Sequence, residues 1–441
     1  MRGRQTHEHT GEKQRPIRSE REVRRSFALS ILNGSLFRLA EALIDPPLVL
    51  TWFVNRLTDS NLLIGMIVPL GNAGWFLPQL FFAARVHQMK RKMRVYTMTA
   101  VVRTIIWIIL AVTVWLTDTP SFLLVSVFVL YVAARMAAGP AGLAFFDIVA
   151  KTVPPRRRGR LFAWRLFLGG ILGLGGGWVV NTVLNHPLLP FPRGHALLFL
   201  LYTVVFVPAC LAFIAIREPP GIAVSERPAL REQLRRAKQI LVEDGVYRRF
   251  LIIKVIMTLA GTALPFYGVY AQNVLGAPEG MVGIYVTTRI AAQLLFNLPW
   301  GWLSDRRGNR LALRLQIIVT GLTLLSALAL VGFVALSDLQ GAWLPYLALP
   351  LFFMDGSLLP TYILTGNNFL LELVPETKRP LYLGLNNTLM GIVILVSGFG
   401  GLVVDLLGFG GLFAASLALC LVGFVLTTGL PEPRENERIS E

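Results

Sequence analysis

The apolar residues of this chain come in blocks of about twenty, separated by short polar connections, and not at the spacing of an amphipathic helix. A block of that length spans the hydrocarbon core of a bilayer as an α-helix. The first block contains Pro46 and Pro47, where we expect a kink. The predicted fold class is an all-α integral membrane protein with twelve transmembrane helices. These helices are predicted near 27–55, 62–84, 95–117, 121–149, 161–184, 195–216, 249–272, 279–303, 311–336, 342–372, 381–404 and 409–429.

The positive charge of the chain is concentrated in alternate connections. The formal net charge is +17, although charged residues make up only 15% of the chain. The Lys and Arg residues lie mainly in the segments 1–26, 85–94, 151–160, 217–249, 305–314 and 375–379. By the positive-inside rule these segments and both termini are cytoplasmic, which agrees with an even number of helices. The basic tail lacks interleaved aromatic residues, so we do not expect nucleic-acid binding.

A long polar segment after predicted helix 6 divides the chain into two halves. The predicted domains are a basic tail 1–26, a six-helix bundle 27–216, a linker 217–248, a second bundle 249–429 and a tail 430–441. The linker contains an amphipathic helix that lies on the membrane surface or is solvated. The stretches that start at Val153 and Val374 match each other, and Glu218 and Glu432 each precede a proline after the last helix of their half. The halves therefore look like a duplication.

Two motifs indicate a family. The connection between helices 8 and 9 contains a glycine, an aspartate four residues later and then the pattern Arg-x-Gly-x-Arg. Helix 4 contains the pattern Arg-x-x-x-Gly. With these motifs the chain resembles the major facilitator superfamily of secondary transporters, as a divergent bacterial member. The residues concerned are Gly301, Asp305, Arg306, Gly308, Arg310, Arg135 and Gly139.

The resemblance implies that the loop between helices 8 and 9 is a cytoplasmic latch that closes one transport state. Gly301 would allow close helix packing, and Gly308 would form the tight turn. Asp305 would meet the N-terminal dipole of helix 5, and Arg310 would reach Glu372 at the end of helix 10. The alternative is that these charges only set topology and form the turn.

Charged residues also lie within the predicted helices. The central level holds Glu41, Arg135, Arg289 and Asp355, while Arg38 and Asp45 lie one turn from Glu41. In the resembled family helices 1, 4, 7 and 10 surround the pathway, so Glu41 or Asp45 could pair with Arg135. A buried carboxylate beside an arginine can exchange a proton for substrate. The alternative is a static salt bridge. Three further cations are expected to reach the cytoplasmic ends in structural roles: Arg103, Arg165 and Lys254.

Helix 5 carries the glycine-rich stretch 169–177, in which Gly170, Gly173 and Gly177 allow close packing on helix 8 or helix 1. Gly139 allows the same in helix 4. The chain has no nucleotide-binding loop and no arrangement of nucleophile and base, so we do not predict an enzyme. Neither a cofactor nor a metal is expected, because both cysteines lie inside apolar helices.

The predicted function is secondary active transport of a small molecule by alternating access. Proton-coupled export of small amphipathic compounds is the first hypothesis, because Arg135, Gly139 and the acidic helix 1 resemble the drug/proton group. Two alternatives remain open: uptake of a sugar, an organic acid or a nucleoside, and a non-transporting receptor or partner subunit. The expected partners are the substrate, protons and the lipid of a bacterial plasma membrane, and a monomer is expected.

Overall fold

The computed structural model describes residues 19–220, 235, 239–337, 340–363, 368–375 and 378–432. Regular secondary structure in these ranges is helical throughout. Ten of the described helices are long and apolar enough to cross a membrane, and two shorter apolar helices, Leu344–Leu358 and Leu381–Ser397, complete the set. The predicted all-α membrane fold with twelve spans is confirmed.

The first half contains six helices joined by short turns. They are α1 (Glu20–Asn55), α2 (Asn61–Gln88), α3 (Met93–Leu116), α4 (Pro120–Thr152), α5 (Pro155–Leu184) and α6 (Arg193–Ile214). Within this half α1 packs on α5 and α6, α2 on α4, and α3 on α4 and α6. The turns at 89–92 and 153–154 mark what we call the basic end of the molecule, and the turns at 56–60 and 117–119 mark the opposite end.

The second half repeats this arrangement. Its helices are α7 (Gly245–Asn273), α8 (Met281–Arg307), α9 (Asn309–Leu336), α10 (the segments Leu344–Leu358, Thr361–Ile363 and Phe369–Leu373), α11 (Arg379–Ser397) and α12 (Gly400–Thr427). Helix α8 packs on α10, α9 on α12, and α7 on α11 and α12. The halves meet where α5 lies on α8 and where α2 lies on α11 and α12.

The predicted boundary between the last two helices is wrong. Helix α11 ends at Ser397 and not near residue 404, because Gly398 and Phe399 turn the chain without any polar residue that hydropathy would detect. The later break at Gly408 lies inside α12, where the backbone has φ 69° and ψ −178°. Positive φ favours glycine, so this residue separates a short first segment from the apolar segment that the sequence predicted from 409.

Helix α1 is interrupted at its centre. Its first α-helical part ends at Leu43, and the chain resumes at Pro46 as a short π-helical segment that leads into Thr51–Asn55. Pro46 and Pro47 cannot donate backbone hydrogen bonds to the preceding turn, which accounts for the break. Asp45 lies in the gap, so a charged residue sits where the backbone itself is not regular.

Glycines bring α5 and α8 into backbone contact. A side chain on Gly177 would collide with Thr287 and would stand 2.8 Å from the Gly283 carbonyl. Gly283 in turn lies against Asn181 of α5. Gly170 and Gly173 lie on the same side of α5, opposite Leu294 and Ile290 of α8. The neighbouring Gly176 faces α1, where a Cβ would be 2.9 Å from that of Ala42. Helix α5 is therefore packed closely on both α8 and α1.

The two halves end in the same way. Glu218, which follows α6, accepts hydrogen bonds from the backbone N–H groups of Lys92 (2.9 Å) and Met93 (2.7 Å) at the start of α3. Glu432, which follows α12, accepts one from the N–H of Arg310 (3.1 Å) at the start of α9. A carboxylate at a helix N-terminus is stabilised by the helix dipole and by otherwise unpaired N–H groups. The shared device agrees with a duplicated chain. The predicted amphipathic linker helix and the two tails lie mostly outside the described residues.

The glycine contact between α5 and α8 predicts the effect of a substitution. Gly177→Val should destabilise the protein by roughly 1–3 kcal/mol, because the added side chain has no space at the α8 backbone. Thermal unfolding in detergent would measure this. The matched control is Gly175→Val, since a Cβ at Gly175 meets nothing within 4 Å. Equal unfolding temperatures for the two variants would contradict the assignment.

Candidate functional site

Three charged side chains from three helices meet in the middle of the molecule. The Nε of Arg289 in α8 donates to Oδ2 of Asp355 in α10 at 2.6 Å. Its Nη1 donates to Oδ2 of Asp45 in α1 at 3.1 Å. Arg289 is 7% exposed and Asp355 6%. We call these residues the central triad. It joins the two halves, because Asp45 belongs to the first and the other two to the second.

The Arg289–Asp355 side of the triad is held firmly. Gly356 lies directly against the backbone of Arg289, where a Cβ would be 2.7 Å from the Arg289 Cα. One turn away, Tyr285 stacks on Phe352 with ring centroids 4.2 Å apart. The missing side chain at Gly356 therefore lets α10 approach α8 closely enough to place the carboxylate on the guanidinium. This pair forms part of the wall of the second half.

Asp45 is held differently. It lies in the break of α1, and its Oδ1 accepts a hydrogen bond from the backbone N–H of Leu48 at 3.2 Å. The side chain is 17% exposed, compared with 8% for the side chain of Asp355. The same carboxylate thus stabilises the start of the helical segment after the break and pairs with a cation of the other half.

Glu41 has another partner. Its Oε1 lies 3.9 Å from Nη2 of Arg103 in α3, and the same Nη2 donates to the hydroxyl of Tyr202 at 3.0 Å. The Arg103 guanidinium also lies 4.4 Å from the centre of the Phe206 ring. Arg103 is 7% exposed. The expectation that Arg103 reaches the basic end is therefore wrong, because aromatic rings and a carboxylate hold it inside the first bundle.

Arg135 does not pair with either acid of α1. Its Nε donates to the backbone carbonyl of Gly71 in α2 at 3.3 Å. Gly139, one turn on, lets α4 approach α2, since a Cβ there would be 2.6 Å from the Trp75 carbonyl. The pairing of Arg135 with Glu41 or Asp45 that the sequence suggested is replaced by Arg103 and Arg289. Sequence reasoning named Arg289 but gave it no partner.

The loop between α8 and α9 contains the predicted latch residues. Gly308 turns the chain at φ 84° and lies against the Glu432 carboxylate. Arg310 donates from its backbone to Glu432 and from its guanidinium to the Thr428 carbonyl at 3.4 Å. These contacts take the place of the predicted one with Glu372, which lies in the last segment of α10.

At the basic end of α8 the structure differs from one prediction. A Cβ on Gly301 would meet nothing within 4 Å, so the close packing expected at Gly301 is absent from this conformation. Asp305 and Arg306, one turn further on, are exposed. Their part in a latch stays a prediction.

The halves also contact each other at the opposite end. Asn55 at the end of α1 donates to Oε1 of Gln272 and to Oδ1 of Asn273 at the end of α7, both at 2.7 Å. Arg56 pairs with Glu279 at 3.1 Å. Asn61 of α2 donates to Asp405 of α12 at 2.7 Å. We call this group the outer contact. It holds the ends of α1 and α7 together.

The comparisons with known proteins agree with this architecture. The family model described as Major Facilitator Superfamily matches residues 249–441. No curated protein matches the chain. Among solved structures, a D-xylose-proton symporter is similar with a TM-score of 0.70 and 15% identity, covering 93% of this chain and 99% of that one. A mutant form of the nucleoside transporter NupG gives 0.66 and 15%, covering 92% and 98%.

The chain has the major facilitator fold. A bacterial homologue of the iron transporter ferroportin in its inward-facing state is also similar, with a TM-score of 0.65 and 15% identity, covering 93% of this chain and 99% of that one. The family match over residues 249–441 supports the resemblance inferred from the sequence, and the predicted fold of a multi-pass membrane protein is confirmed over both halves. Identities this low show the shared fold and leave the substrate to be argued from the residues. No metal-binding group of His, Cys, Asp and Glu occurs among the described residues.

The central triad predicts a large effect of removing its cation. Arg289→Gln should lower the free energy of unfolding by about 3–5 kcal/mol, because the buried Asp355 and the partly buried Asp45 lose their shared counter-charge. Denaturation in detergent would measure it. The triple variant Asp45→Asn, Arg289→Gln, Asp355→Asn should recover most of the loss. If the single and triple variants are equally unstable, the triad does not act as an electrostatic unit.

The outer contact predicts a dependence on pH. Burial raises the pKa of Glu279 above its ordinary value of 4.5, and the charge of Arg56 offsets part of the rise. An acid whose pKa is raised in the folded state binds more protons there than when unfolded, so it stabilises less as pH rises from 4.5 towards the raised pKa. Between pH 4 and 7 the unfolding temperature of the wild type should therefore fall relative to that of Glu279→Gln. Parallel profiles would contradict this.

Proposed function

We propose that this protein is a proton-coupled secondary transporter that works by alternating access. The observation that carries the proposal is that one guanidinium is shared by two carboxylates from different halves. The ionised triad has one negative charge in excess in a buried site. Such a charge is costly in a low-dielectric interior, and a single proton neutralises it. The site is therefore suited to bind and release one proton.

Asp45 is the acid that takes this proton. It is the more exposed carboxylate, its distance to Arg289 is 3.1 Å against 2.6 Å for Asp355, and it lies in a helix break. Protonation of Asp45 removes the ion pair between the halves but leaves the Arg289–Asp355 pair in place. Asp45 thus couples the proton to the contact between bundles, whereas Asp355 keeps Arg289 oriented.

The contacts support a conformation that is closed at the opposite end. The outer contact joins α1 to α7 there, whereas Gly301 at the basic end of α8 has open space beside it. With the basic end in the cytoplasm, as the positive-inside rule predicts, this is an inward-open state. The latch of Asp305, Arg306 and Arg310 would then form in the outward-open state. Both termini would be cytoplasmic in a bacterial plasma membrane.

Export of small amphipathic compounds stays the first candidate for substrate and direction, on the sequence pattern of Arg135, Gly139 and the acids of α1. A second candidate, uptake or exchange of an organic anion, is favoured by the cations of the interior. Arg135 and Lys254 have neutral oxygens as partners, namely the Gly71 carbonyl and Oδ1 of Asn386. These cations are available to attract negative charge. A receptor without transport would not need a neutralisable triad.

Proton release from detergent-purified protein tests the coupling. We would add a panel of organic cations, drugs, sugars and organic acids in weakly buffered solution and follow pH. We expect one or more ligands to cause a proton signal that Asp45→Asn abolishes. Glu41→Gln is the matched control, because Glu41 pairs with Arg103 outside the triad. It should keep the signal.

Either of two results would overturn this proposal. If ligands bind to the wild type without any proton signal, the triad is a static salt bridge. The protein would then be a facilitator or a carrier coupled to another ion. A signal that survives in Asp45→Asn but disappears in Glu41→Gln would move the coupling site to the Glu41–Arg103 pair.

A further inference from the structure

Two arginines outside the central triad lie where α1 packs on α5, and the two points of contact are one helical turn apart. Arg38 of α1 crosses Gly169 of α5, where a Cβ would be 2.9 Å from both Cβ and Cγ of the arginine. Arg165 of α5 crosses Gly34 of α1 in the same way, 2.7 Å from Cγ. Each arginine is four residues from the glycine on its own helix. The reciprocal arrangement brings two positive charges to one wall of the first half.

The partners of these arginines leave their charge uncompensated. Nη1 of Arg165 donates to the Ser30 carbonyl and to Oδ1 of Asn33 at 3.0 Å, and its guanidinium lies 4.6 Å from the centre of the Phe145 ring. All three partners are neutral. Within the described part of the chain, Arg38 makes neither a hydrogen bond nor an ion pair. The nearby Glu41 is directed to Arg103 instead.

Arg38 is also exposed, although it lies in the membrane-spanning part of α1, one turn from Glu41. A charged side chain at the centre of a bilayer is costly unless it faces water or a partner. An exposed and unpaired arginine at this depth therefore faces a water-filled cavity and not lipid. Because the halves are held together at the opposite end, the cavity opens towards the basic end.

The charges in the interior of the spanning helices do not balance. Among the described charged residues discussed above that lie away from the helix ends, the cations outnumber the acids. The cations are Arg38, Arg103, Arg135, Arg165, Lys254 and Arg289, and the acids are Glu41, Asp45 and Asp355. Low-dielectric walls strengthen the field of such an excess, which raises the local concentration of anions.

We propose that Arg38, supported by Arg165, binds the carboxylate or phosphonate group of a small organic anion in this cavity. A guanidinium presents paired N–H donors that match such a group. Arg38 makes the direct contact, since its donors are unused. Arg165 is committed to α1 and contributes positive charge while it holds α1 and α5 in register. The site deepens the proposed function by naming a substrate class, and it rests on that proposal only in taking the cavity as the transport pathway.

Equilibrium binding to detergent-purified protein at pH 7 tests the site. The probes are 4-phenylbutyrate and 3-phenylpropylphosphonate, with the amide and the amine of matching skeleton, and calorimetry is the readout. We expect one or both acids to bind and the amide and amine to bind weakly or not at all. Arg38→Gln should weaken acid binding at least about tenfold, as expected for a lost charge-assisted hydrogen bond. Arg38→Lys should retain part of it.

The controls separate this site from general effects of charge. Arg94→Gln removes an exposed cation at the basic end and should leave binding unchanged. Gly169→Ala keeps every charge but displaces Arg38 and should weaken the acids. The inference is wrong if no acid binds to the wild type, if the amide or amine binds as tightly as the acids, or if Arg38→Gln binds them normally. If the acids bind in a way that depends on Arg38 but cause no proton signal, only the proposed proton coupling is rejected.

Discussion

A single guanidinium shared by two carboxylates is the interaction on which this architecture depends. Arg289 is the counter-charge that both Asp45 and Asp355 contact in the interior, and removing one member of a buried ion pair leaves a costly uncompensated charge. One cation can fully compensate only one acid. The structure therefore has a built-in choice between its partners, and that choice decides whether the two halves are electrostatically joined at the centre.

The backbone around the triad gives the two partners unequal freedom. Gly356 fixes α10 on α8, so Asp355 and Arg289 move together. Gly177 and Gly283 bring α5 onto α8, so the backbones of the two halves are also in direct contact. Asp45 lies where α1 is interrupted, and a small change in that irregular backbone alters its reach. The rigid pair and the adjustable acid thus follow from where glycine and proline occur along the chain.

The sequence predicted the parts of this structure that depend on local pattern. Blocks of apolar residues gave the spans, and Pro46 and Pro47 gave the break in α1. The turn after α11 was missed because Gly398 and Phe399 have no polar character. Partner choice was not predictable, because it depends on how each helix is rotated about its axis. Arg103 looked as if it would reach the surface, but Tyr202 and Phe206, a hundred residues later, hold it inside.

The carboxylates of Glu218 and Glu432 have a consequence for how the protein is made. Each closes its own half by capping the third helix of that half, and each follows directly after the last helix of the same half. A ribosome that has released residue 218 has therefore supplied every group needed to finish the first bundle, before any helix of the second exists. Biosynthesis can proceed as two successive and equivalent folding events, and Arg289 meets Asp45 only when the second bundle docks on a completed first one.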